Sequence, residues 1–212
     1  VDFEEKLYSV GRIPGSFQRR EGKASEKATL SSRVIDRPIR PLFPKDMRND
    51  VSVVATVMSV DPDCSPEIAA LWGVSTAIAI SDIPWDGPVS SVSLGLVDGE
   101  YVINPTLEQR AKTEMTVTVA STDSLVAMIE AGANEISNEV MFDGIMFAHE
   151  ENKKIVEFIK SIVAQIGKEK VAFESNDPSE ELYEAIKAFA IDDVKAALDT
   201  DDKRIRDERL KP

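Results

Sequence analysis

The spacing of the apolar residues changes several times along this sequence, and that change constrains the fold more than any other feature. Apolar residues form β-branched or alternating runs from Val51 to Val60, Val89 to Val97 and Met115 to Ala120, which is typical of strands. A helix from Glu67 to Ser81 is predicted from Pro66 before it and from a composition that is apolar nearly all round and rich in alanine. From Ser137 to Ile166, apolar residues recur at helical spacing. This switching predicts a mixed α/β or α+β domain and argues against a helical bundle or a β-sandwich.

Short polar signals predict where these elements begin and end. Asp98-Gly99, between an alternating run and Tyr101 to Ile103, predicts a two-residue hairpin. Ser25 is a predicted N-cap, and Pro38 and Pro41 are expected to end the helix that follows it. After the linker from Asn176 to Ser179, a second, helical unit is predicted to begin.

The charge of the chain is unevenly distributed. Its 212 residues carry a formal net charge of −13, which taken alone argues against nucleic-acid binding. The stretch from Gly11 to Arg48, however, holds ten basic and four acidic residues, a net charge of +6. An acidic protein with one basic segment can meet a polyanion at that segment alone. The alternative is a solvated surface with unevenly scattered arginines.

A loop predicted from its glycines and Pro14 displays Phe17, Arg19 and Arg20. An aromatic ring can stack on any unpaired base, and neighbouring guanidinium groups can bind phosphates. This combination suits binding of single-stranded nucleic acid without sequence preference. In the alternative interpretation, Phe17 anchors the loop in a core and the arginines pair with Glu21 or other acids.

A second basic cluster consists of Arg33, Arg37 and Arg40. The first two share a helix face because they are four residues apart, and Arg40 joins them only if the backbone at Pro38 permits. Three converging guanidinium groups would bind a phosphate or a polycarboxylate. The alternative is structural pairing with Asp36 and with acids elsewhere.

Several kinds of chemistry have no support in the sequence. His149 is the only histidine, so neither a zinc-protease helix nor a histidine-dependent triad is indicated. No glycine-rich nucleotide-binding motif is found, and the abundant carboxylates suit solvated surfaces better than a metal site. We therefore predict neither catalytic residues nor metal ligands. The single cysteine, Cys64, and the lack of a long apolar run predict a cytoplasmic protein without a membrane span.

The two basic segments resemble a known family closely. The segments are Gly11 to Gly22, GRIPGSFQRREG, and Arg33 to Pro44, RVIDRPIRPLFP, and together they resemble the first core domain of bacterial polynucleotide phosphorylases. Shorter matches follow at Val57 to Asp61, Asp82 to Pro88, Ile103 to Thr106 and Phe147 to Glu150. The resemblance covers most of the chain up to Gly167.

This resemblance implies an α+β, ribonuclease PH-like core domain with a mixed sheet and packed helices over residues 1–172, lacking its N-terminal strands. Residues 179–212 would begin an all-helical linker domain that is truncated here. The family is a phosphate-dependent 3′-to-5′ exoribonuclease, a nucleotidyltransferase that degrades mRNA as a homotrimer. Inorganic phosphate is its co-substrate, and the Mg²⁺ ligands are expected in the second core domain, outside this chain. The fragment alone is therefore expected to be inactive.

The resemblance also assigns roles to residues. Phe17, Gln18, Arg19, Arg20 and Lys23 resemble the loop that guides single-stranded RNA, although many members have a second phenylalanine in place of Gln18. Arg33, Arg37 and Arg40 resemble the arginines around a vestigial, anion-binding site. Implied partners are single-stranded RNA, two further copies of the parent enzyme and proteins of RNA-degradation complexes. The alternative function is a purely structural or anion-sensing domain that does not contact RNA.

Overall fold

The computed structural model describes residues 1–13, 24–175 and 177–211. The chain divides into two compact units. The first consists of Val1–Lys45 and Asn49–Phe173, and the second of Asp46–Arg48 and Glu174–Pro212. Among the described residues, no helix has the length and apolar character needed to cross a bilayer.

The first unit contains six strands and four α-helices within its described residues. In chain order they are β1 (Asp2–Glu5), α1 (Glu26–Ile39), β2 (Val54–Val57), α2 (Pro66–Ile80), β3 (Ser90–Val97), β4 (Glu100–Ile103), α3 (Leu107–Lys112), β5 (Met115–Ser121), β6 (Val126–Ala133) and α4 (Asn138–Ile166). The second unit contains α5 (Glu180–Leu198) and α6 (Lys203–Arg209). The predicted mixture of strands and helices is confirmed.

The strands form two sheets. The main sheet is antiparallel with strand order β4-β3-β5-β6, and β1 pairs with β2 in parallel. Asp98 and Gly99 connect β3 to β4, and both adopt positive φ angles, 51° and 82°. Positive φ at both central residues produces the turn twist that matches a hairpin. The hairpin predicted from the Asp-Gly pair is therefore confirmed.

Buried apolar side chains form two clusters. One cluster lies between α4 and the main sheet and includes Leu94, Met115, Val117 and Ala148. Gly144 allows α4 to approach the sheet closely, because a Cβ atom there would lie 2.9 Å from Leu94 Cδ2. The other cluster joins α1 and α2 to the sheet and includes the side chains of Ile35, Ile39, Leu71, Val74, Ile78, Ala120 and Met128.

Helix α2 protects the part of β3 that β4 does not reach, since β4 pairs only with Leu94 to Val97. Trp72 Nε1 donates a hydrogen bond of 2.7 Å to the carbonyl of Ser91. Ser75 Oγ accepts one of 3.1 Å from the N–H of Val89. These two hydrogen bonds give partners to backbone groups at this edge that would otherwise be buried without any.

One predicted boundary holds and one is wrong. Helix α1 ends at Ile39, between Pro38 and Pro41, and it passes through Pro38 because that proline removes only one hydrogen bond near the C-terminus. Three hydrogen bonds span the proline. The Arg40 guanidinium donates two to the Asp36 carboxylate, and the Arg40 N–H donates one to the Asp36 carbonyl. The strand predicted from Val51 to Val60 is shorter, because backbone pairing with β1 holds only Val54–Val57.

The segment after α4 caps the C-terminus of α2. Lys170 Nζ donates hydrogen bonds to the carbonyls of Ile78, Ala79 and Ser81 at 3.0, 3.0 and 2.7 Å. The N–H of Lys168 donates to the carbonyl of Ile80 at 2.9 Å. Desolvation lowers the pKa of Lys170, and the nearby Asp82 partly opposes that effect. A cation at this position interacts favourably with the partial negative charge of the helix end.

We expect Lys170→Met to lower the free energy of unfolding by about 1–2 kcal/mol, because unpaired carbonyls replace charge-assisted hydrogen bonds. Urea denaturation measures this change. Lys168→Met is the matched control, since the Lys168 ammonium makes no hydrogen bond or ion pair within the described residues. Equal losses in the two variants would contradict a specific role for Lys170.

Candidate anion and nucleic-acid interface

Helix α1 and its C-cap residue, Arg40, carry the three arginines of the second basic cluster on one face. Because the helix continues through Pro38, Arg33, Arg37 and Arg40 stand at positions i, i+4 and i+7 and form one exposed stripe. The rise of an α-helix separates neighbouring members by about 6 and about 4.5 Å along the axis. The backbone at Pro38 therefore keeps Arg40 on the same face as the other two, and binding of an anion by the three arginines stays a prediction.

The three guanidinium groups differ in their partners. Arg40 donates from Nε and Nη2 to the two carboxylate oxygens of Asp36, at 2.9 and 2.8 Å. Arg33 and Arg37 make no ion pair or hydrogen bond through their side chains with any residue that the structure describes. Structural pairing, the alternative considered from the sequence, thus applies to Arg40, while the other two charges face solvent.

The opposite face of α1 holds the helix in place. Ala28, Ile35 and Ile39 are buried in the core. Ser25 Oγ accepts a hydrogen bond of 3.0 Å from the N–H of Ala28, as its predicted N-cap role requires. Ser32 Oγ donates to the carbonyl of Val1 at 2.6 Å. The arginine stripe therefore lies on a well-anchored helix.

The residues of the predicted RNA-guiding loop, Phe17, Gln18, Arg19, Arg20 and Lys23, lie outside the described residues. The described chain on one side ends in a turn, where Gly11 has a φ of 73° and its N–H bonds to the carbonyl of Tyr8 at 3.0 Å. On the other side, Ala24 directly precedes the N-cap of α1. The loop is therefore continuous in sequence with the helix that carries the arginine stripe.

The described residues contain no group of three or more His, Cys, Asp or Glu side chains that could hold a metal ion. His149 is only 5% exposed and packs inside the first unit on α4. Cys64 is exposed in the turn before α2. Among the described residues, the arginine stripe along α1 is therefore the main candidate site.

Comparison with known proteins gives two kinds of match. Residues 1–84 match the model for domain 1 of the 3′ exoribonuclease family, and residues 87–151 match the model for domain 2. The crystal structure of rice (Oryza sativa) Rrp46 is similar with a TM-score of 0.61 at 13% identity, covering 77% of this chain and 71% of that one. This likeness supports the fold alone, and the ribonuclease PH-like α+β prediction is confirmed.

Relatives with high sequence identity carry one name. The chain is 59% identical over 210 residues to the polyribonucleotide nucleotidyltransferase of Ruminiclostridium cellulolyticum and 58% identical to that of Clostridioides difficile. Each match covers 99% of this chain and 30% of the relative, so the chain spans about a third of their length. Both domain matches and these relatives show that the chain belongs to the 3′ exoribonuclease family.

Proposed function

We propose that this chain is the RNA-guiding and scaffolding part of a longer polyribonucleotide nucleotidyltransferase. The parent protein would use inorganic phosphate to release nucleoside diphosphates from RNA 3′ ends. Identities of 50–59% with relatives of that name, along nearly the whole chain, support this proposal. The observation from the structure that carries it is the exposed arginine stripe, in which Arg33 and Arg37 pair with no acid among the described residues and which lies next in sequence to the basic loop.

The proposed division of labour follows from the chemistry of the residues present. Phe17 would stack on an unpaired base, while Arg19, Arg20 and Lys23 would bind successive phosphates, so the strand is held without regard to sequence. Gln18 would add a hydrogen-bonding amide at the position where many members have a second ring. Phosphorolysis would be performed by residues outside this chain, together with Mg²⁺, which neutralises charge that develops at phosphate oxygens.

We further propose that residues 1–172 are the first ribonuclease PH-like domain of that protein and that residues 179–212 begin its helical linker domain. The division of the chain into two compact units, which separates Phe173 from Glu174, supports this boundary. Strands outside this chain would complete the small sheet. In support, an apolar groove of about 580 Å³ runs between β2 and α2, and Val54 and Met58 beside it are 57% and 67% exposed.

A second role, binding of an anionic metabolite, is favoured by one observation. Arg33 and Arg37 lie a single helical turn apart with no acid paired to either within the described residues. Such a pair can bind a phosphate or a polycarboxylate.

We also propose that the parent enzyme is a homotrimer, that it associates with RNA-degradation proteins and that it is located in the cytoplasm.

The test of RNA guidance is a double substitution in the longer protein. We expect Arg19→Ala with Arg20→Ala to weaken binding of single-stranded RNA. The slope of log affinity against log salt concentration should fall by about 1.4, because two phosphate contacts are lost. Fluorescence anisotropy across a salt series measures both quantities.

The matched control is Lys203→Ala with Arg204→Ala on α6, which removes the same charge from side chains that make no ion pair in the described residues. The control variant should retain the original affinity and salt slope. If the loop variant also retains both, RNA guidance by this loop is wrong, and the structural or anion-sensing alternative is favoured.

A further inference from the structure

Six buried side-chain polar atoms have no hydrogen-bond partner among the described residues, His149 Nδ1 on α4 and Ser91 Oγ on β3 among them. Three of the six belong to residues for which strand register and hydrogen bonding indicate one shared location. The atoms are Ser90 Oγ on β3, Ser121 Oγ on β5 and Asn152 Oδ1 on α4. All three residues have a relative exposure of 0%. A buried polar group left in this condition costs about 1–3 kcal/mol, so native interiors rarely leave several of them together.

The strand register places the two serines side by side. Ser90 lies directly opposite Ser121 in the β3–β5 pairing, on the same face as Val92 and Val119. Directly opposed residues in an antiparallel pair have Cβ atoms about 4.5–5.5 Å apart. The two hydroxyl groups are therefore close enough for one small molecule to contact both.

Asn152 approaches this face from α4. Its Nδ2 donates a hydrogen bond of 2.9 Å to the carbonyl of Val119, the second residue before Ser121. This bond fixes the amide against β5, two residues before Ser121, and leaves Oδ1 as an acceptor without a partner among the described residues. Gly144, two turns earlier on the same helix, lies over Leu94 and Met115, so α4 follows the strands along this face.

The chemistry of the three atoms restricts the ligand. Two hydroxyl groups and an amide oxygen carry no charge, and the adjacent Val92 and Val119 are apolar. No cluster of metal-ligating side chains is present in the described part of the chain. An ion would therefore remain uncompensated, whereas a molecule that both donates and accepts hydrogen bonds would satisfy every group.

We propose that Ser90, Ser121 and Asn152 form an internal water site. One water molecule donates to Asn152 Oδ1 and to one serine oxygen and accepts the hydroxyl proton of the other serine. Three hydrogen bonds are the usual number for a buried water. The water connects α4 to both central strands of the sheet, in addition to the direct bond from Asn152 to Val119.

A crystal structure of the protein at a resolution that places ordered waters tests the site directly. We expect an isolated density peak within hydrogen-bonding distance of at least two of the three atoms. Absence of that peak, or direct hydrogen bonds among the three side chains, would overturn the proposal.

Oxygen-17 magnetic relaxation dispersion, which counts long-lived internal waters, gives a second measurement in solution. We expect Ser121→Val to lose one such water, because the valine removes a partner and fills space; Asn152→Leu serves if the first variant does not fold. Ser75→Ala is the matched control, since Ser75 is also fully buried but already bonds to the N–H of Val89. An unchanged water count in the folded Ser121 or Asn152 variant would show that no water is bound there.

Discussion

Replacing Trp85 with alanine is expected to lower the free energy of unfolding by about 3–5 kcal/mol. The Trp85 side chain is 7% exposed, and its Nε1 donates a hydrogen bond of 3.0 Å to the carbonyl of Ile39. Its ring lies 6.2 Å from that of Phe43, between centroids, and covers Gly87 so closely that a Cβ there would overlap it. Alanine would leave a cavity and an unpaired carbonyl at the end of α1.

Urea denaturation followed by circular dichroism measures this loss, with Trp85→Phe as the matched control. Phenylalanine retains an aromatic ring but not the indole N–H, so its cost should be smaller, about 1–2 kcal/mol. A loss of less than 1 kcal/mol in the alanine variant, on the order of an ordinary surface change, would contradict the anchoring role.

The second large effect is expected for Leu94→Ala, at about 2–5 kcal/mol. Leu94 is fully buried in the cluster between α4 and the sheet. Its Cδ2 is the atom nearest to the position that a Cβ of Gly144 would occupy, 2.9 Å away. Truncation of Leu94 therefore opens space beside Gly144.

The effects of substitutions at Leu94 and Gly144 are expected to be coupled. Gly144→Ala alone should be strained, but in the Leu94→Ala protein the new methyl group enters the vacated space, so the two changes should couple by about 0.5–3 kcal/mol. Gly73→Ala is the control, because nothing lies within 4 Å of its added Cβ, and it should stabilise α2 equally in either background. Additive effects of Leu94→Ala and Gly144→Ala would show that the Leu94 side chain is not what limits the space at Gly144.

Much of the fold could be predicted from local patterns. The Asp98-Gly99 hairpin depends on two residues that tolerate positive φ, and the Ser25 cap depends on a side chain that bonds three residues ahead. Both interactions lie within a few residues, where sequence rules work well. Helix α1 ends between Pro38 and Pro41 as predicted, and the bonds between Asp36 and Arg40 accompany its passage through Pro38.

The candidate interface could be predicted only in part. The sequence identified Arg33, Arg37 and Arg40 as a cluster, but whether all three share one stripe depended on the backbone at Pro38. Which of the three arginines pairs with an acid among the described residues depended on side-chain geometry. The guiding role of Phe17, Arg19 and Arg20 is still a prediction, since it concerns residues outside the described chain.

The sequence by itself determined the alternation of strands and helices, the hairpin, the segregated positive charge and, through its motifs, the family. These properties are set by neighbours along the chain. Only the tertiary structure decided that Trp72 and Ser75 cover the edge of β3, that Lys170 caps α2 and that Asn152 on α4 bonds to the backbone of β5. Such contacts join residues far apart in sequence, and their energies depend on burial and distance, which no local pattern specifies.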